Sequence, residues 1–328
     1  MYPEETRLMK IRFIALMIIT GLSLNSTLAS AAAEFPTKPM TLIVPWGPGS
    51  ATDVVSRALA NGGKKYLGQT VLIENKTGGG GTAGTQYMLT KPPDGYGIGV
   101  TSLNPFLISY LTGTLPYHPA NDFTHILRVC GYLFAIAVRA DAPWKNIQDF
   151  IQFARANPGK ISYSSSGVGT TGHINMEEFA QLAKIQLTHV PYKSGNESNT
   201  ALLGGHVDAL SDAAWAPLTS AGKFRVLLIY AHERSPRYPQ VPIPKDVVSE
   251  NVRPGYILLF APKGVPKPIV MKLHDAFKMA MNEPEYHAVL ERFNLTPLYL
   301  NSEDSQKAVQ EDIAPIGKLV QKLGLQRQ

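Results

Sequence analysis

Three glycine-rich stretches hold the residue types that could do chemistry. In "VLIENKTGGGGTAGT", Gly79, Gly81 and Gly84 spell G-x-G-x-x-G behind a short strand-like run. That spacing serves pyrophosphate binding at a helix N-terminus, with the first glycine directly after the strand and an acidic residue about twenty positions on. Here Glu74, Asn75, Lys76 and Thr77 intervene, and Asp94 comes too early, inside "PPDGY". A nucleotide-dependent enzyme using the 79–84 turn is one reading. A glycine-rich loop opening a helix beside a cleft is the other, and it fits the spacing better.

The second stretch is "IVPWGPGSATD". A strand ends at Trp46, and Gly47, Pro48 and Gly49 make the turn. Ser50-x-x-Asp53 has the form of a capping box. Gly47, Gly49, Ser50 and Ala51 leave backbone N–H groups open where a helix dipole points positive, which is the make-up of an anion site. The third, "YSSSGVGTTGH", repeats the theme: Ser165 and Ser166 end a strand, Gly167 and Gly169 turn it, and Thr170 and Thr171 open a helix. It is no nucleophile elbow, because Ser164 stands where G-x-S-x-G needs a glycine. His173 and Glu177 are four apart but have no second histidine, so no metal site is expected. Ser220-x-x-Lys223 lacks the companion motifs of an acylating serine. The sequence thus predicts no catalytic residues, no cofactor and no enzyme.

The elements that must position these loops alternate. "MTLIVPW", "TVLIEN" and "YGIGVTS" read as strands, with helices from near Thr52 (Val55, Ala58 and Leu59 on one face) and over "GTQYMLTK". The middle of the chain repeats the pattern: helix "IQDFIQFARANPG", strand "KISYSSS", then a helix with Met176, Phe179, Ala180 and Ala183 at helical spacing. "IQLTHVPY", "VDALSD" and "KFRVLLIYA" read as strands and "ESNTALLGG" as a helix. A Pro-rich passage, the strand "YILLFAP" and two amphipathic helices follow, the first with Ile269, Leu273, Ala276, Phe277 and Ala280 on one face. Such β-α-β order predicts mainly parallel sheets flanked by helices, with ligands outside the carboxyl ends of the strands. Two α/β units with a return to the first predict two lobes joined by two crossings.

The first 33 residues read as an export signal. Arg7, Lys10 and Arg12 precede the apolar run "FIALMIITGLSL", and small residues follow at Ala29-x-Ala31 and Ala31-x-Ala33. The run is too short for a membrane-spanning helix. Removing residues 1–33 takes away those three bases and two acids, Glu4 and Glu5, so the net charge of +6 becomes +5. The bases are scattered with no interleaved aromatics, which argues against nucleic-acid binding. The single cysteine, Cys130, sits in "ILRVCGYLFAIAV" and is expected to be a small buried hydrophobe.

At these residues the sequence resembles the Bug-type solute receptors of tripartite tricarboxylate transporters. The resemblance runs through "FPTKPMTLIVPWGPGSATDVVSRALA", "LGQTVLIENKTGGGGTAGT", "PPDGYGI", "YSSSGVGTTGHI", "LTHVPYKSG", "LLGGHVDALSD", "RSPRYPQVP" and "LLFAPKGVPKPIV", in order over residues 35–328. It implies a periplasmic two-lobe binding protein (type II, Venus flytrap) that takes a small organic carboxylate in the interlobe cleft. Lobe 1 would be residues 34–138 and 235–328, lobe 2 residues 139–234, and residues 1–33 the signal peptide. Ligand contacts are implied at Trp46, Gly47, Gly49, Ser50, Ala51 and Asp53, and at Ser165, Ser166, Gly169 and Thr170. Tyr192 and Lys193 could join them or be a plain strand end, and Asp212 could reach the cleft or cap a helix. An acid at 212 would suit a ligand with an ammonium or hydroxyl near its carboxylate. Where the family's first loop often has G-G-G-T-D, Ser50 and Ala51 bring side chains. The implied partners of this monomer are the large and small membrane permease subunits, or, alternatively, a signalling system that it serves without transport.

Overall fold

The Gly/Pro turn after the first strand sets the pattern of the whole chain, in which strands deliver loops to a common edge and helices carry the chain back. The computed structural model describes residues 35–231, 233–248, 255–322 and 324–325; the signal-peptide expectation for residues 1–33 lies outside them. In chain order the elements are β1 (Met40–Val44), α1 (Ala51–Leu67), β2 (Val71–Asn75), α2 (Thr82–Met88), β3 (Gly97–Ser102), α3 (Leu103–Leu111) and β4 (Phe123–Gly131). Then come β5 (Phe134–Arg139), α4 (Ile147–Ala156), β6 (Ser162–Ser165), α5 (Thr171–Ala183), β7 (Thr188–Pro191), α6 (Gly195–Leu203), β8 (Ala209–Asp212), α7 (Ala216–Ser220) and β9 (Phe224–Tyr230). Last are β10 (Tyr256–Pro262), α8 (Lys267–Ala280), α9 (Pro284–Phe293), β11 (Thr296–Leu300) and α10 (Ser302–Lys322). Where two closing helices were expected there are three, with β11 between the second and third.

Lobe 1 is built on a six-stranded sheet, order β11-β4-β10-β3-β1-β2, and lobe 2 on a five-stranded sheet, order β7-β6-β8-β5-β9. The two-lobe α/β architecture is as expected, but the sheets are mixed rather than mainly parallel. Strands β1, β2 and β3 are parallel, as are β6, β7 and β8. Antiparallel pairs are β10 with β3 and β4, β11 with β4, and β5 with β8 and β9. The reason is the crossing itself. Only Tyr132 and Leu133 separate β4 from β5. A strand that leaves lobe 1 at the cleft enters lobe 2 from the cleft, so it runs against strands whose carboxyl ends point there. Strand β10 returns the same way. Accordingly β5, assigned to lobe 1 by the expected 34–138 boundary, pairs within the sheet of lobe 2.

The helical faces read from the sequence are the buried ones. Val55, Ala58 and Leu59 of α1, Met176, Phe179, Ala180 and Ala183 of α5, and Leu273, Ala276, Phe277 and Ala280 of α8 all lie in the core. Each large side chain so buried contributes about 1.5–3 kcal/mol. Helix α1 packs on α8. Cys130 is fully buried and free, inside β4, and burial pushes its thiol far above the ordinary range.

Candidate functional site

The carboxyl ends of β1, β3, β6 and β8 and the first crossing meet around one cleft between the lobes. About 430 Å³ of free space, part of it open to solvent, lies within it. Lobe 1 contributes Trp46, Ser50, Ala51 and Thr52 from the first loop and α1, Ser102 from β3, and Pro105 from α3. The crossing adds Tyr132 and Phe134, and lobe 2 adds Ser166, Thr170, Thr171, Gly195, Asp212, Ala213 and Ala214. No lysine or arginine is among these residues, and Asp212 is their one carboxylate.

The first loop is held by Asp53, which faces away from the cleft. Ser50 caps α1, its hydroxyl accepting from the Asp53 N–H at 3.3 Å. The reciprocal bond of a capping box lands one residue early, from the Gly49 N–H to Asp53 Oδ2 at 2.8 Å. Asp53 also accepts from Arg57 Nε at 2.9 Å, Arg57 Nη2 at 3.0 Å and Asn75 Nδ2 at 2.9 Å. Burial alone would raise its pKa, but Arg57, Asn75 and the Gly49 N–H outweigh that and hold it below the ordinary value. Asp53 is therefore a brace that aims the loop. Gly47 and Gly49 sit at the rim, half-buried and exposed. The first turn of α1, Ala51 and Thr52, turns toward the cleft N–H groups that the helix itself cannot pair.

The second loop is braced from behind by stacked imidazoles. The His173 and His189 rings lie 4.1 Å apart, and Tyr163 stacks on His189 at 4.8 Å. Gly169 N–H donates to His173 Nδ1 at 3.1 Å, and Ser165 Oγ pairs with His189 Nε2 at 2.8 Å. Ser165 and Gly169 thus support the loop from outside the cleft, while Ser166 and Thr170 line it. Lys193 is exposed and its N–H binds Glu197; Tyr192 is half-buried, its N–H on the Ser165 carbonyl. Neither lines the cleft. Burial lowers the pKa of His173 to about 4, and lowers that of His189 to about 3 with the help of its stacked neighbour. Because both folded values lie below the unfolded value of about 6.5, stability is full above that pH and is lost as pH falls toward 4. A melting series from pH 7 to 4 is expected to show this acid loss reduced in His173→Asn, whose Oδ1 can still accept from Gly169. An identical acid profile in the variant would remove the pair from the account.

Asp212, at the end of β8, is 5% exposed and takes three backbone donors. Its Oδ2 accepts from Ser166 N–H at 3.2 Å, and its Oδ1 from Ala213 N–H at 2.7 Å and Ala214 N–H at 3.2 Å. It lines the cleft and ties the second loop to the β8 end, and it caps no helix, since α7 begins at Ala216 behind Trp215. Burial raises its pKa, and the donors oppose this without cancelling it.

The glycine turn 79–81 lies against the second loop. A Cβ added at Gly80 would stand 3.0 Å from the Val168 carbonyl oxygen, and one at Gly167 3.2 Å from Gly80 Cα. The turn is an interlobe contact beside the cleft. Sequence reasoning missed Thr52, Ser102, Pro105, Tyr132, Phe134, Thr171, Gly195, Ala213 and Ala214 as cleft residues. Ser102 could have been found, because "YGIGVTS" ends in hydroxyls as "KISYSSS" does. Among the described residues no three His, Cys, Asp or Glu side chains could hold a metal ion, and no helix is long and apolar enough to cross a membrane.

Two α/β lobes joined at two crossings, with a donor-lined cleft between them, define a two-lobe solute-binding protein of the periplasmic type. Residues 55–325 match the family described as tripartite tricarboxylate transporter family receptor (TctC). The chain belongs to that family. It is 40% identical over 307 residues to the UPF0065 protein in the gbd 5′ region of Cupriavidus necator, covering 93% of this chain and 94% of the relative. The periplasmic binding protein BugD superposes with a TM-score of 0.82 at 28% identity, covering 90% of this chain and all of its own. MatC of Rhodopseudomonas palustris, solved with bound malate, superposes at 0.81 with 27% identity, over 87% of this chain and all of its own.

Proposed function

We propose that this receptor captures a small organic carboxylate in the interlobe cleft and hands it to a separate membrane permease with a large and a small subunit. The observation that carries the reading is the composition of the cleft wall, where hydroxyls and helix-start N–H groups from both lobes converge without a basic side chain. Such groups suit an anion held by hydrogen bonds and helix dipoles rather than by an ion pair. The malate bound by MatC is a ligand of this class. Of the residues singled out in the sequence, Trp46, Ser50, Ala51, Ser166, Thr170 and Asp212 touch the ligand. Gly47, Gly49, Asp53, Ser165, Gly169, Tyr192 and Lys193 shape or support the two loops. Asp212 favours an acid that carries a hydroxyl or ammonium beside its carboxylate. Residues 1–33 export the chain to the periplasm and are removed.

Calorimetry of the mature protein with malate, aspartate, succinate, adipate, citrate and benzoate tests this. One-to-one binding of at least one acid, recovered unchanged, is the expected result, with malate or aspartate ahead of succinate. Conversion of an acid to product, or no binding to any of them, overturns the reading.

A further inference from the structure

The cleft holds a set of hydroxyls whose protons do not balance within the protein. Thr52 opens α1, Ser102 ends β3 and Tyr132 lies in the two-residue crossing; they are 3%, 5% and 4% exposed, and all three line the cleft. The Tyr132 hydroxyl meets Thr52 Oγ1 in a short bond and Ser102 Oγ at 3.2 Å. Three hydroxyls carry three protons, and the two bonds between them use two. No bond from Thr52 Oγ1 or Ser102 Oγ to any other described residue takes up the third. Across the cleft, Thr171 is 1% exposed, lines the lobe 2 side, and its Oγ1 has no partner among the described residues. A buried hydroxyl left without an acceptor is costly, so such groups mark places where something else completes the bond.

We propose that the Tyr132 cluster on the lobe 1 side and Thr171 on the lobe 2 side are paired neutral donors that grip the same ligand carboxylate. This rests on the carboxylate reading above and names the atoms that do the holding. A carboxylate has two oxygens and about four acceptor positions, so it can take one proton from each side at once. The donors belong to different lobes, so both bonds form only when the lobes are together. Tyr132 adds a second consequence. Because it sits in the crossing itself, a ligand bonded to its cluster is bonded to the hinge.

The test is calorimetry with malate, aspartate and succinate on the wild type, Tyr132→Phe, Thr171→Val and Thr171→Ser, with melting curves for each. Tyr132→Phe and Thr171→Val each remove one hydroxyl and keep the shape, and each is expected to weaken binding of the bound acid about tenfold or more. Thr171→Ser keeps the hydroxyl and is expected to bind within about threefold of wild type. Melting temperatures are expected to stay near wild type for the Thr171 variants and to fall by about 2–6 °C for Tyr132→Phe, whose two hydroxyl partners lose a bond, with every variant still folded at the temperature of the titration. Wild-type affinity in both Tyr132→Phe and Thr171→Val overturns the proposal while leaving the carboxylate receptor intact. A wild type that binds none of the three acids removes the carboxylate reading, and this inference with it.

Discussion

Gly169→Val is expected to lower carboxylate affinity by about ten- to a hundredfold while each lobe stays folded. Gly169 has φ +75°, in the left-handed region that a β-branched residue resists. A Cβ there would stand 3.0 Å from Cγ2 of Ile108, which belongs to α3 in the other lobe. The conformational cost of about 1–2 kcal/mol weighs on lobe 2 in the open and closed forms alike, whereas the overpacking of about 1–3 kcal/mol weighs on the closed form alone. That closed-form penalty corresponds to about one to two decades in affinity. The Ile108 clash arises only when the lobes meet, so it opposes closure and leaves lobe 2 free to fold. Lys193→Ala is the contrast, because that lysine lies outside the cleft and its loss should leave affinity within about twofold. Calorimetry on the pair decides: loss in Lys193→Ala with retention in Gly169→Val would contradict a clamp made of loop backbones.

Asp212→Ala is expected to cost about 2–3 kcal/mol of stability, since it strips the acceptor from three N–H groups at once. For domains of this size that lowers the melting temperature by roughly 5–10 °C, with Asp212→Asn losing less because one oxygen remains to accept. The sign of the pH dependence follows from burial, which sets the folded pKa of Asp212 above the unfolded one. What Asp212 contributes is fully present below the unfolded value of about 4 and is lost as pH rises through the folded value. The gap between wild type and Asp212→Ala is therefore expected to be widest in acid and to narrow upward. A gap that widens with rising pH would mean that the carboxylate is stabilised by the fold as an anion.

Much of this fold is written locally in the chain. "IVPWGPGSATD" pairs an apolar strand with a turn and a cap, so β1, the loop and α1 could be placed from spacing alone. The helical periods of α1, α5 and α8 marked their buried faces for the same reason. The crossing was illegible because "ILRVCGYLFAIAV" is apolar apart from Arg128. A lone Gly131 is the one break in it and Tyr132 and Leu133 carry no turn signal, so the end of one strand and the start of the next are not marked. Helix α3, "LNPFLISYL", is buried over most of its length and shows no polar face by which to recognise it. The site followed the same division. Loop residues at strand ends could be singled out, and six of them line the cleft. Tyr132 and Phe134 could not, because their role comes from where the chain changes lobes. Asp53 shows the opposite failure: its position at a helix start is right for an anion site, but Arg57 and Asn75 turn its carboxylate inward.

Small-angle X-ray scattering during a titration with the acid that binds most tightly tests the clamp most directly. Contacts from both lobes give the ligand a higher affinity for the closed form, and that difference is what shifts the population. The radius of gyration is expected to fall as acid is added, with the midpoint that calorimetry gives for binding, and Gly169→Val is expected to stay expanded at the same concentrations. An acid that saturates the protein in calorimetry while the radius of gyration stays constant and the chain remains expanded would contradict a ligand held between the lobes.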